Sequence, residues 1–262
     1  MKPDSATTKP VPVQTNPDVI PMKPDSATTK QDTAKMKPDS AAMKPANEKL
    51  LMEKYRHCIE WFSETMPDAD TELHFGSPFQ LLVAVMLSAQ CTDKRVNMIT
   101  PALFQAFPTA EALAPATPEQ VLPYIKSISY PNAKATHLVE TARKLCTDFG
   151  GQVPQTMEEL LTLPGVGRKT ASVMLICAFG QPAMPVDTHV FRVANRLGLT
   201  QNSKSPEETE AVLLNRFPRE LLGKAHHWLI LHGRYTCQAR RPQCDRCGLS
   251  EVCDWFITEK PF

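Results

Sequence analysis

The chain has 262 residues, 42% of them apolar, and its 29 Lys and Arg nearly balance 28 Asp and Glu. That is enough apolar material for a substantial core, but a net charge of +1 excludes nucleic-acid binding by bulk charge and requires a local patch. No apolar run reaches the roughly 18 residues of a membrane span, and none precedes a small-residue cleavage site, so no membrane anchor and no secretory or transit segment is expected and a cytoplasmic protein is.

Residues 1–48 differ in kind from the rest. They hold eight prolines and no aromatic residue, while all eight cysteines lie beyond them. The segment repeats itself: "MKPDSATTK" stands at 1–9 and again at 22–30, and "MKPDSAAMK" at 36–44. A polar repeat of this kind buries too little surface to offset its ordering entropy, which predicts a disordered leader over 1–48.

The remainder reads as helices. Asn47 can cap a first helix with Leu51, Tyr55, Cys58, Ile59 and Phe62 at helical spacing. "SPFQLLVAVMLSAQ" follows, with Ser77 as cap, Pro78 at the first helical position and an interior so apolar that it predicts a central buried helix. Shorter helices are expected over 95–107, 109–114 and 118–126, and a longer one over 132–148. Thr156 and Glu159 form a capping-box pattern before a short helix ending near Thr162. A helix from Arg168 to about Ala178 comes next, then one capped by Asp187 and ended by Gly198. Ser205, Pro206 and Glu208 open another, and a last long helix runs through "GKAHHWLILHGRY". No alternating strand pair is evident. The prediction is an all-α protein of two helical lobes, with "FGQPAMPV" at 179–186 as the crossing between them. Lys169 and Asp187 lie on either side of that crossing and can face one cleft.

"LPGVGRKTASVML", residues 163–175, punctuates the helical pattern. Gly165 and Gly167 permit a tight reversal that leaves backbone N–H groups open at the start of the next helix, an arrangement that holds phosphate. A plain helical hairpin with glycine caps explains the same residues. A nucleotide-binding P-loop does not, because no strand precedes "GRKT" and the upstream glycine spacing fails.

Near the end, Cys237, Cys244, Cys247 and Cys253 form a compact thiolate set. Four cysteines this close indicate a metal centre rather than a disulfide framework; spacing alone leaves zinc and iron–sulfur both open. Cys58, Cys91, Cys146 and Cys177 read as small core residues, and His189, His226, His227 and His232 as packing and hydrogen-bonding groups.

The hairpin stretch, "VDTHVFRV", the cysteine spacing, "FQLLVAVMLSAQCTD" and "HHWLILHGRYTC" together resemble the endonuclease III family of DNA base-excision glycosylases, from about residue 50 onward. The resemblance implies two helical lobes around a DNA-binding cleft: a barrel lobe with a helix-hairpin-helix over 71–181, and a second lobe built from 49–70 plus 182–262. It implies Lys169 as nucleophile and Asp187 as its catalytic partner. DNA contacts are implied at Gly165, Val166, Gly167 and Arg168, with Gln90 and Tyr130 as wedges entering the duplex. It selects a [4Fe–4S] cluster on the four cysteines, with Arg234, Arg240, Arg241 and Arg246 against the DNA backbone. The implied activity is N-glycosylase plus abasic-site lyase on double-stranded DNA carrying damaged pyrimidines, by a monomer. Ser129 and Tyr130 depart from the resembled family's pattern, which commonly has glycine and then leucine or another residue there. An adenine glycosylase and a non-catalytic DNA-binding module remain as alternatives.

Overall fold

The computed structural model describes residues 45–259, so the leader expected over 1–48 lies outside the described residues up to 44. Residues 45–48 belong instead to the first turns of a helix.

Among the described residues there are twelve α-helices and no strand: α1 (Pro45–Thr65), α2 (Pro78–Ser88), α3 (Asp93–Ala106), α4 (Ala110–Leu113), α5 (Pro118–Ile125), α6 (Pro131–Phe149), α7 (Met157–Leu160), α8 (Arg168–Phe179), α9 (Thr188–Leu197), α10 (Pro206–Arg216), α11 (Leu222–Tyr235) and α12 (Asp254–Glu259). Their starts follow from local chemistry. Ser77, Thr92, Thr109, Thr156, Asp187 and Ser205 each accept a hydrogen bond from a first-turn N–H, which satisfies a donor the helix itself leaves open. Gly150, Gly180 and Gly198 end α6, α8 and α9 in the left-handed conformation.

Two helices differ from expectation. Helix α1 starts at Pro45, where a proline is tolerated in the first turn, and Glu48 pairs with Arg216. Helix α12 was not foreseen; six residues are too few to show periodicity, and it is held by Trp255, whose ring lies 4.7 Å beneath the Arg196 guanidinium.

The apolar side chains form two separate cores. The first is built from α2 to α8, around Leu81, Leu87, Leu103, Ile125, Leu138, Leu145 and Met174. The second joins α1 to α9, α10 and α11 through Tyr55, Phe62, Val193, Leu213, Trp228 and Leu229. Each such buried side chain contributes about 1.5–3 kcal/mol over exposure. The last first-core residue is Ala183 and the next buried residue, Met184, belongs to the second. The chain therefore changes lobe within the Gly- and Pro-broken stretch after α8.

Candidate active site and cysteine centre

The α7–turn–α8 hairpin is fixed from three directions. The Thr156 hydroxyl accepts from Glu159 N and donates to the Glu159 carboxylate at 2.8 Å. This replaces the reciprocal backbone bond that the capping-box pattern suggested. The Thr141 hydroxyl donates to Pro164 O at 2.7 Å, and Val166 is buried. Gly165 has φ +74°, and a Cβ there would lie 2.9 Å from His137 Cβ, so both backbone and space require glycine. Gly167 caps α8 without a side-chain partner and nothing stands within 4 Å of where its Cβ would be. The α8 N-terminus is open to an anion. Arg168 is turned away: its guanidinium makes a two-point contact with Glu210 at 2.9 and 3.3 Å.

Lys169, in the first turn of α8, lines an open cavity. The 70–73 loop, α2, α3 and α11 supply the rest of the wall, including Glu72, Ser88, Asp93, His226 and Arg234. Arg234 is half-buried in this wall. It pairs with Glu72 and, at 2.8 Å, with Asp93, because its half-buried position needs carboxylate partners. Arg240, Arg241 and Arg246 are exposed.

Asp187 is not part of that wall. Its Oδ1 accepts from His189 N and Val190 N, both at 2.8 Å, capping α9 as expected. His226 links the two regions. Burial, then the neighbouring His227 and the Lys169 charge, push its pKa well below the usual histidine range, and its Nδ1–H donates to Pro185 O at 2.8 Å.

Gln90 and Tyr130 are both exposed and both hold positive φ, 54° and 55°. The buried ammonium of Lys134 donates to Leu87 O at 2.8 Å and Ala89 O at 2.7 Å, closing the end of α2 just before Gln90. No local pattern in the sequence marks this lysine.

Cys237, Cys244, Cys247 and Cys253 line one cavity with Leu197, Trp255 and Phe256, and all eight cysteines of the chain are outside disulfides. Burial pushes the Cys247 thiol up to about 11, so a thiolate there at neutral pH needs a cation beside it. Arg196 Nη1 donates to Cys237 Sγ at 3.5 Å and to Gln238 O at 2.8 Å, while Arg192 Nη2 donates to Gly233 O at 2.8 Å. Neither arginine was singled out in the sequence, although their i, i+4 spacing on α9 was visible. His232 Nε2 lies 3.7 Å from Cys247 Sγ and its Nδ1 has no partner. Burial lowers this ring to about 4, so it is neutral, and its proton belongs on Nε2, where a buried N–H finds the sulfur.

A second ligand set lies at the first cavity. Asp70, Cys177 and His227 each offer one atom, all within 4.8 Å of one another, and can hold a metal ion. His227 Nε2 is 3.6 Å from Cys177 Sγ and 3.5 Å from Asp70 Oδ1. Burial, opposed by Asp70, lowers His227 to about 4, so the contact with Asp70 is not an ion pair at neutral pH.

Residues 83–219 match the family model of the HhH-GPD superfamily of base excision DNA repair proteins. Endonuclease III of Rickettsia felis is 48% identical over 198 residues, 76% of this chain and 92% of that one. The chain belongs to the endonuclease III family. Endonuclease III of Escherichia coli K12 is 47% identical over 192 residues, covering 73% of this chain and 90% of that family member. Among solved structures, an endonuclease III–DNA covalent intermediate superposes with a TM-score of 0.75 at 40% identity, over 79% of this chain and 97% of that one. The all-helical, two-lobed architecture is that of the family.

Proposed function

We propose that this endonuclease III family protein is a bifunctional DNA N-glycosylase and abasic-site lyase that removes oxidised pyrimidines from double-stranded DNA. The observation that carries the reading is the position of Lys169, in the first turn of the helix that follows the open hairpin and in the wall of a cleft shared with α2, α3 and α11.

The open N–H groups at Gly167 and the start of α8 hold a backbone phosphate, which sets the register of the strand. Gln90 and Tyr130 enter the duplex where the damaged nucleotide leaves it. The neutral Lys169 amine attacks the sugar C1′, the C1′–N bond to the base breaks, and the base departs with its bonding electrons and takes up a proton. The amine nitrogen then forms an imine with the opened sugar. Loss of a C2′ proton and departure of the 3′ phosphate nick the strand. Asp187, fixed by its two backbone bonds, opposes positive charge on the sugar as it develops. Arg168, paired with Glu210, contributes through its backbone N–H rather than its charge.

Cys237, Cys244, Cys247 and Cys253 suit a [4Fe–4S] cluster, which when bound closes the loop after α11 by iron–thiolate bonds. Arg196 and His232 direct N–H groups at two of the four sulfurs. The two cores support a barrel lobe over 71–181 and a second lobe over 49–70 plus 182–262. Among the described residues no helix is long and apolar enough to cross a membrane; with bacterial relatives, the reading places a monomer in the cytoplasm on DNA. A panel of duplexes with oxidised pyrimidines, abasic sites and adenine mismatches tests it. Nicking of the first two supports it, and excision confined to mismatched adenine contradicts it.

A further inference from the structure

We infer that Asp70, Cys177 and His227 form a zinc site in the wall of the Lys169 cavity, separate from the four C-terminal cysteines. In a tetrahedral zinc site with ordinary bond lengths, histidine nitrogen and cysteine sulfur stand about 3.6 Å apart, and histidine nitrogen and carboxylate oxygen about 3.4 Å. The observed separations from His227 Nε2 are 3.6 Å to Cys177 Sγ and 3.5 Å to Asp70 Oδ1. Three side chains from three elements, the 70–73 loop, α8 and α11, thus bring their ligand atoms within 4.8 Å of one another, with both separations from His227 at zinc-site length.

The donor set selects the metal. One thiolate, one imidazole and one carboxylate suit a borderline cation such as Zn²⁺, whereas Mg²⁺ and Ca²⁺ require oxygen ligands throughout. Asp70 is exposed, Cys177 half-buried and His227 buried, so the ion enters from the carboxylate side. Three protein ligands leave the fourth tetrahedral position to water, as in sites with an exchangeable ligand. On binding, the S–H bond of Cys177 breaks, an S–Zn bond forms, and the proton passes to buffer. Asp70 and His227 both line the cavity that holds Lys169, which places the bound dication in the same wall.

The test is calorimetric titration of zinc chloride into the full-length, anaerobically purified protein with its C-terminal cysteine centre loaded. Wild type takes up one zinc that EDTA removes, with about one proton released, read by repeating the titration in buffers of different ionisation enthalpy. Cys177→Ala and Asp70→Asn weaken that binding at least about tenfold; Asp70 is exposed, so its variant keeps the fold. Uptake of equal affinity in both variants, or no saturable uptake by wild type, overturns the site. Zinc uptake and lesion cleavage are read separately, so either can fail without the other.

Discussion

The Ser129 hydroxyl donates to the backbone carbonyl of Gln90 at 2.8 Å, tying together two loops whose exposed tips both adopt a left-handed backbone. Such a conformation costs a non-glycine residue about 1–2 kcal/mol, and here it occurs twice at one surface. The carbonyl of Gln90 is held by Ser129, while Lys134 holds the two carbonyls at Leu87 and Ala89 just upstream. Replacing Tyr130 with Gly keeps the backbone and removes the ring. Base stacking on an aromatic is worth about 1–3 kcal/mol, so the complex with lesion duplex is expected to weaken by about 5- to 150-fold without loss of thermal stability. Fluorescence anisotropy with an abasic-site analogue checks this.

Gly165→Ala strains the hairpin from two sides, through φ +74° and the close approach of His137. A loss of at least about 1–2 kcal/mol is expected, seen as a lowered Tm. Gly167→Ala, where nothing opposes the added methyl, is expected to change Tm by much less. Equal effects at the two positions would remove the geometric reason for the first glycine.

Buried histidines set the acid limit of the fold. Burial lowers His227 and His232 from 6.5 to about 4, and His226 falls in the same direction. Between pH 6.5 and 4 the unfolded chain binds more protons than the folded one, so stability rises with pH and is lost on acidification. The slope is about 1.4 kcal/mol per pH unit for each of His227 and His232, and His226 adds in the same direction. Urea unfolding at pH 6.5, 5.5 and 4.5 measures it. His232→Asn removes one such histidine and is expected to flatten the slope.

Arg196→Met removes the donor to Cys237 and the braces on Gln238 and Ala239. The visible absorption and bound iron of anaerobically purified protein are expected to fall, and air exposure to bleach the remainder faster than in wild type. Unchanged iron content and bleaching rate would leave the arginine a surface role only.

Most helices were legible because they carry their own start and stop chemistry: Ser77–Pro78 before α2, Asp187 and Gly198 around α9, and Ser205–Pro206 before α10. Helix α12 was not, since it is held by contacts across the chain: Trp255 with Arg196, Asp254 with Lys54, and Phe256 against the second core. The same limit applies to the site. Lys169 and the four cysteines announce themselves by motif and spacing, whereas Asp70, Cys177 and His227 are 107 and 50 residues apart in sequence and meet only in the fold. The family resemblance implies DNA contacts at Arg168 and Arg234 and says nothing of what their guanidinium groups pair with. Their carboxylate partners, Glu210 for one and Glu72 with Asp93 for the other, lie at separations no local pattern reveals.

The most direct measurement is borohydride reduction of the protein on an abasic-site or oxidised-pyrimidine duplex, with the modified residue located by peptide mass spectrometry. The account predicts one covalent DNA adduct, on Lys169, that disappears in Lys169→Ala while binding of the same duplex persists. An adduct of undiminished yield in that variant, or one mapped to another residue, would contradict it.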